Sequence, residues 1–213
     1  MGVDDIVRGL SETGARTVLI DGRSGSGKST LAEQIHQAWK CSAVVRLDDI
    51  YPGWDGLAWT VEHIRTALLE PRFAGRAGRW RGWDWATGAP ADWHTVEPGQ
   101  RLIVEGVGAL TAAGRALADL GIWVDASEAD RKRRALARDG DTYRPHWDRW
   151  AAQEDDFLAR YDPRAVADWI VERNELAPIT SGEEFRYRRA APEPTASASD
   201  ENPPSCRRRA NPS

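Results

Sequence analysis

The sequence predicts an α/β fold, a parallel sheet of five strands covered by helices on both faces, and three observations predict it. Short apolar, β-branched-rich runs occur at residues 17–20, 42–47, 101–106 and 121–125. Segments with helical spacing separate them, at 29–39, 56–69 and 126–139. The first run leads straight into Gly22-Arg23-Ser24-Gly25-Ser26-Gly27-Lys28-Ser29-Thr30, which fits the phosphate-binding pattern G-x-x-x-x-G-K-[ST] in the strand–loop–helix setting where that pattern works.

In chain order, residues 3–10 read as a short leading helix with apolar Val3, Ile6, Val7 and Leu10, ending near Gly14 and covering the base of the sheet. The run Thr17-Val18-Leu19-Ile20 is a buried parallel strand. In the loop after it, Gly22, Gly25 and Gly27 let the backbone curl so that N–H groups point inward at the start of the next helix, an anion site that the helix dipole reinforces. Lys28 then supplies a point charge for the β and γ phosphates, and the Ser29 hydroxyl sits where Mg²⁺ would bind. The helix itself shows Leu31, Ile35 and Trp39 on one face.

The second strand, 42–47, delivers Asp48 and Asp49 at its C-terminal end. In open parallel sheets that end faces the ligand crevice, although an acidic pair after a strand also serves as a turn or cap. A helix over 56–69 ends before Pro71, with His63 expected at its surface. Residues 73–98, rich in Gly, Arg and Trp, show no clean period. They read as an irregular excursion, either a small satellite hairpin packed by Trp80, Trp83, Trp85 and Trp93 or an aromatic wall for an acceptor.

The third strand, 101–106, ends in Glu105-Gly106, a carboxylate positioned to reach Mg²⁺ beside the phosphate loop. A fourth strand covers 121–125, with Asp125 as a turn or helix-start residue. The following basic helix sets Arg131, Arg134 and Arg138 on one face, which is either a solvated surface or a lid that closes over phosphates. An amphipathic helix at 147–160 and a fifth strand at 165–171 complete the pattern. From residue 190 the composition turns to Pro, Ala, Ser and charge, giving one domain over 1–189 and an expected disordered tail over 190–213.

Composition narrows the function classes. At 213 residues and 41% hydrophobic content the chain supports one core, and a net charge of −4 offers no general pull toward nucleic acid. The N-terminal residues include Asp4 and Asp5 and no long apolar run, so neither a signal peptide nor a membrane span is expected. Cys41 and Cys206 make no disulfide framework or metal spacing, which suits a reducing cytoplasm. No Asn-Lys-x-Asp guanine motif occurs.

The combination of residues 22–30, Asp48-Asp49-Ile50-Tyr51, Trp83-Asp84-Trp85, Val104-Glu105-Gly106, the Arg131/Arg134/Arg138 helix and Ala167-Asp168-Trp169-Ile170-Val171 resembles, in kind and in order, the uridine kinase family of P-loop nucleoside kinases. The resemblance spans about residues 16 to 172 and implies a sheet order of 2-3-1-4-5. It implies ATP and Mg²⁺ as cofactors and a small-molecule hydroxyl, foremost a nucleoside's, as phosphate acceptor. Gly22, Ser24, Gly25, Ser26, Gly27, Lys28, Ser29 and Thr30, with Arg138, would hold the nucleotide, and Ser29 and Glu105 the metal. Asp48 would be the general base, with Lys28, Arg131 and Arg134 assisting transfer, while Asp49, Tyr51, Trp83 and Asp84 would line the acceptor pocket. The sequence departs from the family at Asp49 and Ile50, at Trp83, and at Ala86-Thr87-Gly88, where the family carries a pocket histidine. A kinase for a sugar, cofactor precursor or antibiotic shares every catalytic part, and a non-catalytic NTP-binding regulatory module shares the loop alone.

Overall fold

In the computed structural model, which describes residues 2–173 and 185–189, the sheet has six strands; the expected tail over 190–213 lies outside the described residues. Helix α1 (Val3–Glu12) buries Ile6 and Leu10 against α2 (Lys28–Ala38), which follows β1 (Thr17–Asp21) through the phosphate loop. Then come β2 (Ser42–Arg46), α3 (Leu57–His63) and α4 (Glu70–Phe73), and the hairpin β3 (Gly78–Asp84) and β4 (Ala89–Val96). The chain continues through β5 (Arg101–Glu105), α5 (Ala112–Arg115), β6 (Leu120–Asp125) and α6 (Glu128–Tyr143). It ends with α7 (Trp147–Tyr161), α8 (Pro163–Val166), β7 (Trp169–Arg173) and β8 (Phe185–Arg189).

The sheet order is β2-β5-β1-β6-β7-β8. Its first five members are parallel and reproduce the expected order; β8 pairs antiparallel with β7 and adds a sixth, edge strand. Strand alternation divides the core. Val18, Ile20, Ile103, Ile122 and Val124 face α1 and α2, whereas Leu19, Leu102 and Val104 face the layer holding α3 and α7. Each such side chain taken from water contributes about 1.5–3 kcal/mol, so the strands whose C-terminal ends carry the site are held most firmly. Among the described residues no helix is long and apolar enough to cross a membrane.

Two boundaries differ from expectation. The helix expected to stop before Pro71 runs on to Phe73, because the wide π-type turn Ile64–Leu69 resets the hydrogen bonding and places Pro71 in the first turn of α4, where a missing N–H costs nothing. The strand expected from residue 165 begins at Trp169, since Asp162 caps Ala165 N–H and Pro163 starts a helical turn. The 73–98 excursion is the satellite hairpin, with a register shift between Arg81 and Trp83. His63, expected at the surface, is partly buried: it stacks on Trp59 at 4.4 Å and accepts the Arg81 N–H at 3.3 Å, bracing that hairpin.

Candidate active site

The phosphate loop has the backbone its glycines promised. Gly25 (φ 78°) and Gly27 (φ 107°) lie in the left-handed region, and Gly27 starts α2. A Cβ on Gly25 would come within 2.1 Å of the Arg131 carbonyl oxygen, so α6 rests directly on the loop. A small cavity of about 120 Å³ is bounded by Gly25, Gly27, Lys28, Ser29 and Thr30 on the loop side and by Arg134 and Arg138 opposite. The first N–H groups of α2 have no partners within the helix and serve an anion here. Gly22, Ser24 and Ser26 do not line this cavity: Gly22 N–H binds Asp21 at 2.6 Å, Ser26 N–H binds Arg23 O at 3.0 Å, and Ser24 N–H binds the Glu154 carboxylate at 2.8 Å. These three residues shape the loop and do not face the phosphate cavity.

Glu105, 2% exposed at the end of β5, takes a hydrogen bond from the Ser29 hydroxyl and lies near Lys28 and 3.8 Å from Arg46. Burial pushes its carboxyl up, opposed by the Lys28 charge, and Asp48 raises it further. A hydroxyl and a carboxylate, both hard oxygen donors, suit Mg²⁺, which keeps most of its shell as water and phosphate oxygens. Among the described residues no group of three or more His, Cys, Asp or Glu side chains forms a closed metal cage.

Asp21, at the end of β1, is a residue that motif reading passes over. Fully buried, it accepts N–H bonds from Gly22, Gly108 (3.1 Å) and Leu110 (2.8 Å), tying the turn after β5 to the phosphate loop. Burial outweighs those bonds and the Lys28 charge and lifts the carboxyl from 3.8 to about 7. The folded protein therefore holds this proton more tightly than the unfolded chain does. The stabilisation is complete below the ordinary carboxylate range and is lost as pH rises toward about 7. Thermal melts across pH 5 to 8 should show wild-type stability falling more steeply than that of Asp21→Asn; parallel curves would assign the titration elsewhere.

Arg131, Arg134 and Arg138 of α6 do different things. Arg131 is 5% exposed, donates to Ser24 O at 3.3 Å and lies 3.8 Å from Glu154, while burial and the neighbouring Arg23 charge pull its guanidinium down. It is built into the loop's support, which corrects its expected place over a transferring phosphoryl group. Arg134 donates to Gly25 O at 2.8 Å and borders the phosphate cavity. Arg138 pairs with Asp139 and borders both the phosphate cavity and a second, larger one. Two residues on, Gly140 (φ 54°, ψ −130°) breaks the helix, so α6 is anchored at one end and hinged at the other.

The second cavity, about 490 Å³, is the size of a small-molecule site. It is lined by Asp48, by Ser24 of the phosphate loop and by Arg138, which also borders the phosphate cavity, together with the rings of Tyr51, Trp54, Trp85, Tyr143, His146 and Trp150. Trp54 stacks at 4.4 Å on His146 and 5.3 Å on Tyr143, and Tyr51 meets Trp150 edge-on at 4.7 Å. Of the two acids after β2, Asp48 lines the cavity and Asp49 does not; burial first and then the Asp48 charge raise the Asp49 carboxyl.

The Trp-Asp-Trp motif contributes its other tryptophan. Trp83 lies partly buried on the hairpin across from Pro90, outside the cavity lining. Asp84 is spent on the turn, accepting from Ala86 N–H, Thr87 N–H and the Thr87 hydroxyl, which hold its carboxyl low. Trp85, just beyond the last residue of β3, reaches the cavity and donates Nε1–H to Asp48 O at 2.8 Å. The imidazole missing at residues 86–88 enters from a different element, as His146 just before α7. Trp54 and His146 lie in turn and helix-start segments where nothing in spacing marks them.

The comparisons concern the fold. No protein-family model matches the sequence, and no curated protein matches it. Among solved structures, one described as a possible uridine kinase from Bacillus stearothermophilus is 22% identical, with a TM-score of 0.54, covering 78% of this chain and 97% of that one. A putative fructose transport system kinase from Silicibacter sp. TM1040 is 21% identical, with a TM-score of 0.49, covering 78% of this chain and 94% of that one. The likeness is one of fold: the mostly parallel sheet flanked by helices is shared with the possible uridine kinase structure.

Proposed function

We propose that this protein is an ATP-dependent kinase that phosphorylates a hydroxyl of a small molecule, with a nucleoside as the favoured acceptor. One observation carries the reading: Arg138 borders both cavities while Asp48, whose charge reaches Glu105 beside Lys28, lines the larger one, so a nucleotide cradle and an acceptor chamber lie side by side. A regulatory NTP-binding module needs no second chamber lined by a carboxylate.

ATP with Mg²⁺ supplies the phosphoryl group. Lys28 and the loop N–H groups would hold the phosphate chain, and Ser29 with Glu105 would hold Mg²⁺, which would supply charge compensation to the phosphates. Asp48 accepts the proton of the acceptor hydroxyl. Arg138 compensates charge where the two cavities meet.

The aromatic walls favour a planar group. Tyr51 OH donates to Val107 O at 2.7 Å, Trp85 Nε1 to Asp48 O and Trp150 Nε1 to Glu154 at 3.1 Å, and Tyr143 is hydrogen-bonded to Ser24. Their polar handles are used inside the protein, so the ring faces are what these residues offer a ligand. A base can stack there at about 0.5–1.5 kcal/mol per aromatic pair beyond burial, whereas a fully hydroxylated sugar would lose hydrogen bonds to water. His146 and Thr142 remain as polar contacts for the ring edge.

The test is steady-state kinetics with each substrate varied in turn. Trp85→Ala should raise the acceptor KM about tenfold and leave the ATP KM within about twofold, while Trp83→Ala changes both little. A Trp83→Ala enzyme with the larger acceptor defect would move the acceptor wall from Trp85 to Trp83.

A further inference from the structure

Glu154 stands in the middle of α7 with 1% of its surface exposed, yet four donors converge on it. Oε1 accepts from Ser24 N–H at 2.8 Å and from Trp150 Nε1–H at 3.1 Å; Oε2 accepts from Arg23 Nε at 2.8 Å and has Arg131 Nη1 at 3.8 Å. Every partner is a donor. Only an acceptor-only group satisfies all of them, because an amide would turn its NH₂ toward one pair of N–H groups. A buried carboxylate this fully coordinated is costly to replace by anything else.

Ser24 is the joint on which this network acts. Its N–H goes to Glu154, its carbonyl oxygen takes Arg131 Nη1 at 3.3 Å, and its hydroxyl is bonded to Tyr143. Arg134 holds the next carbonyl, that of Gly25, at 2.8 Å. Two helices that contribute to the acceptor chamber, α6 and α7, therefore fix the bend of the phosphate loop.

We propose that Glu154 is a positioning residue that holds the phosphate loop in its ligand-ready shape through Ser24 and Arg23. The inference rests on the kinase reading above. It assigns nucleotide affinity to a residue that touches no part of the phosphate cavity and lies about 130 positions from the loop in the chain. Preorganisation of this kind lowers the ordering cost of binding and leaves the transfer step itself alone.

The experiment is calorimetric titration of ATP·Mg²⁺ into wild-type protein, Glu154→Gln, Glu154→Asp and Asp155→Asn, with Lys28→Ala as the reference for a lost phosphate site and thermal melts of each. Glu154→Gln should bind on the order of tenfold more weakly or worse per folded molecule. Glu154→Asp, which keeps the charge on a shorter stem, should recover part of the loss. Asp155→Asn removes a second Arg23 partner, at 2.8 Å but exposed and not bonded to Ser24, and should bind as wild type does. In slow ATP hydrolysis the Glu154→Gln defect should appear in KM and leave kcat within about threefold. Should Glu154→Gln fail to fold, the comparison of Glu154→Asp with Asp155→Asn decides on the same terms. Equal ATP·Mg²⁺ affinity of wild type and the Glu154 variants overturns the inference alone; a kcat loss at unchanged KM does the same by showing a merely structural role. A wild-type protein that does not bind ATP·Mg²⁺ overturns the kinase reading and the inference with it.

Discussion

Lys28→Ala is expected to reduce phosphotransfer by on the order of 10³-fold or more while the protein still melts cooperatively. Lys28 is 7% exposed and is the one lysine among the residues lining the phosphate cavity. Removing it strips the point charge that compensates the β and γ phosphates, an effect concentrated in a low-dielectric pocket. The cost to folding is smaller because Asp21 and Glu105, whose carboxyls the Lys28 charge holds down, take up protons in place of standing unpaired. Single-turnover kinetics beside a thermal melt measures both; retained phosphotransfer in Lys28→Ala would remove the phosphate-loop assignment.

Asp48→Asn is expected to lower kcat by about 10²–10⁴-fold with ATP affinity nearly unchanged, since it keeps size and hydrogen bonding but loses the basic carboxylate. Asp49→Asn should stay within about threefold, because that side chain does not line the chamber. Asp48 sits in the turn Leu47–Asp49, whose backbone is fixed from two sides: Leu47 packs against Gly106, where a Cβ would meet it at 2.5 Å, and Trp85 holds the Asp48 carbonyl. A crippled Asp49→Asn with a mild Asp48→Asn would shift the base by one residue.

What the sequence made legible was whatever is local. The phosphate loop, the four central strands and the basic helix are contiguous patterns; the fifth strand begins four residues later than expected, and the order that the resemblance implied is the observed one. The hairpin was half-legible: Arg79 and Arg81 flank Trp80 with outward alternation, but a period of two puts Trp83 and Trp85 on one face and does not tell them apart. Strand β8, Phe185–Arg189, is short and arginine-rich and owes its pairing to the β7 edge. Arg131 and Arg138 share a helix face, yet one is buried against the loop and the other borders the chambers, because α6 rests on the loop at its Arg131 end and meets the cavities farther along. Glu154, Trp54 and His146 gain their roles from contacts across more than ninety residues or from ring stacking, and periodicity carries no trace of either.

The measurement that tests the central claim most directly is incubation of the protein with ATP·Mg²⁺ and a panel of nucleosides, sugars and amino-alcohols, with ADP and the phosphorylated product both read by mass spectrometry. The account predicts ADP formed together with a phosphorylated nucleoside, both lost in Asp48→Asn and both slowed at low acceptor concentration in Trp85→Ala. ATP binding with no phosphate transferred to any nucleoside, or transfer that survives Asp48→Asn, would contradict it.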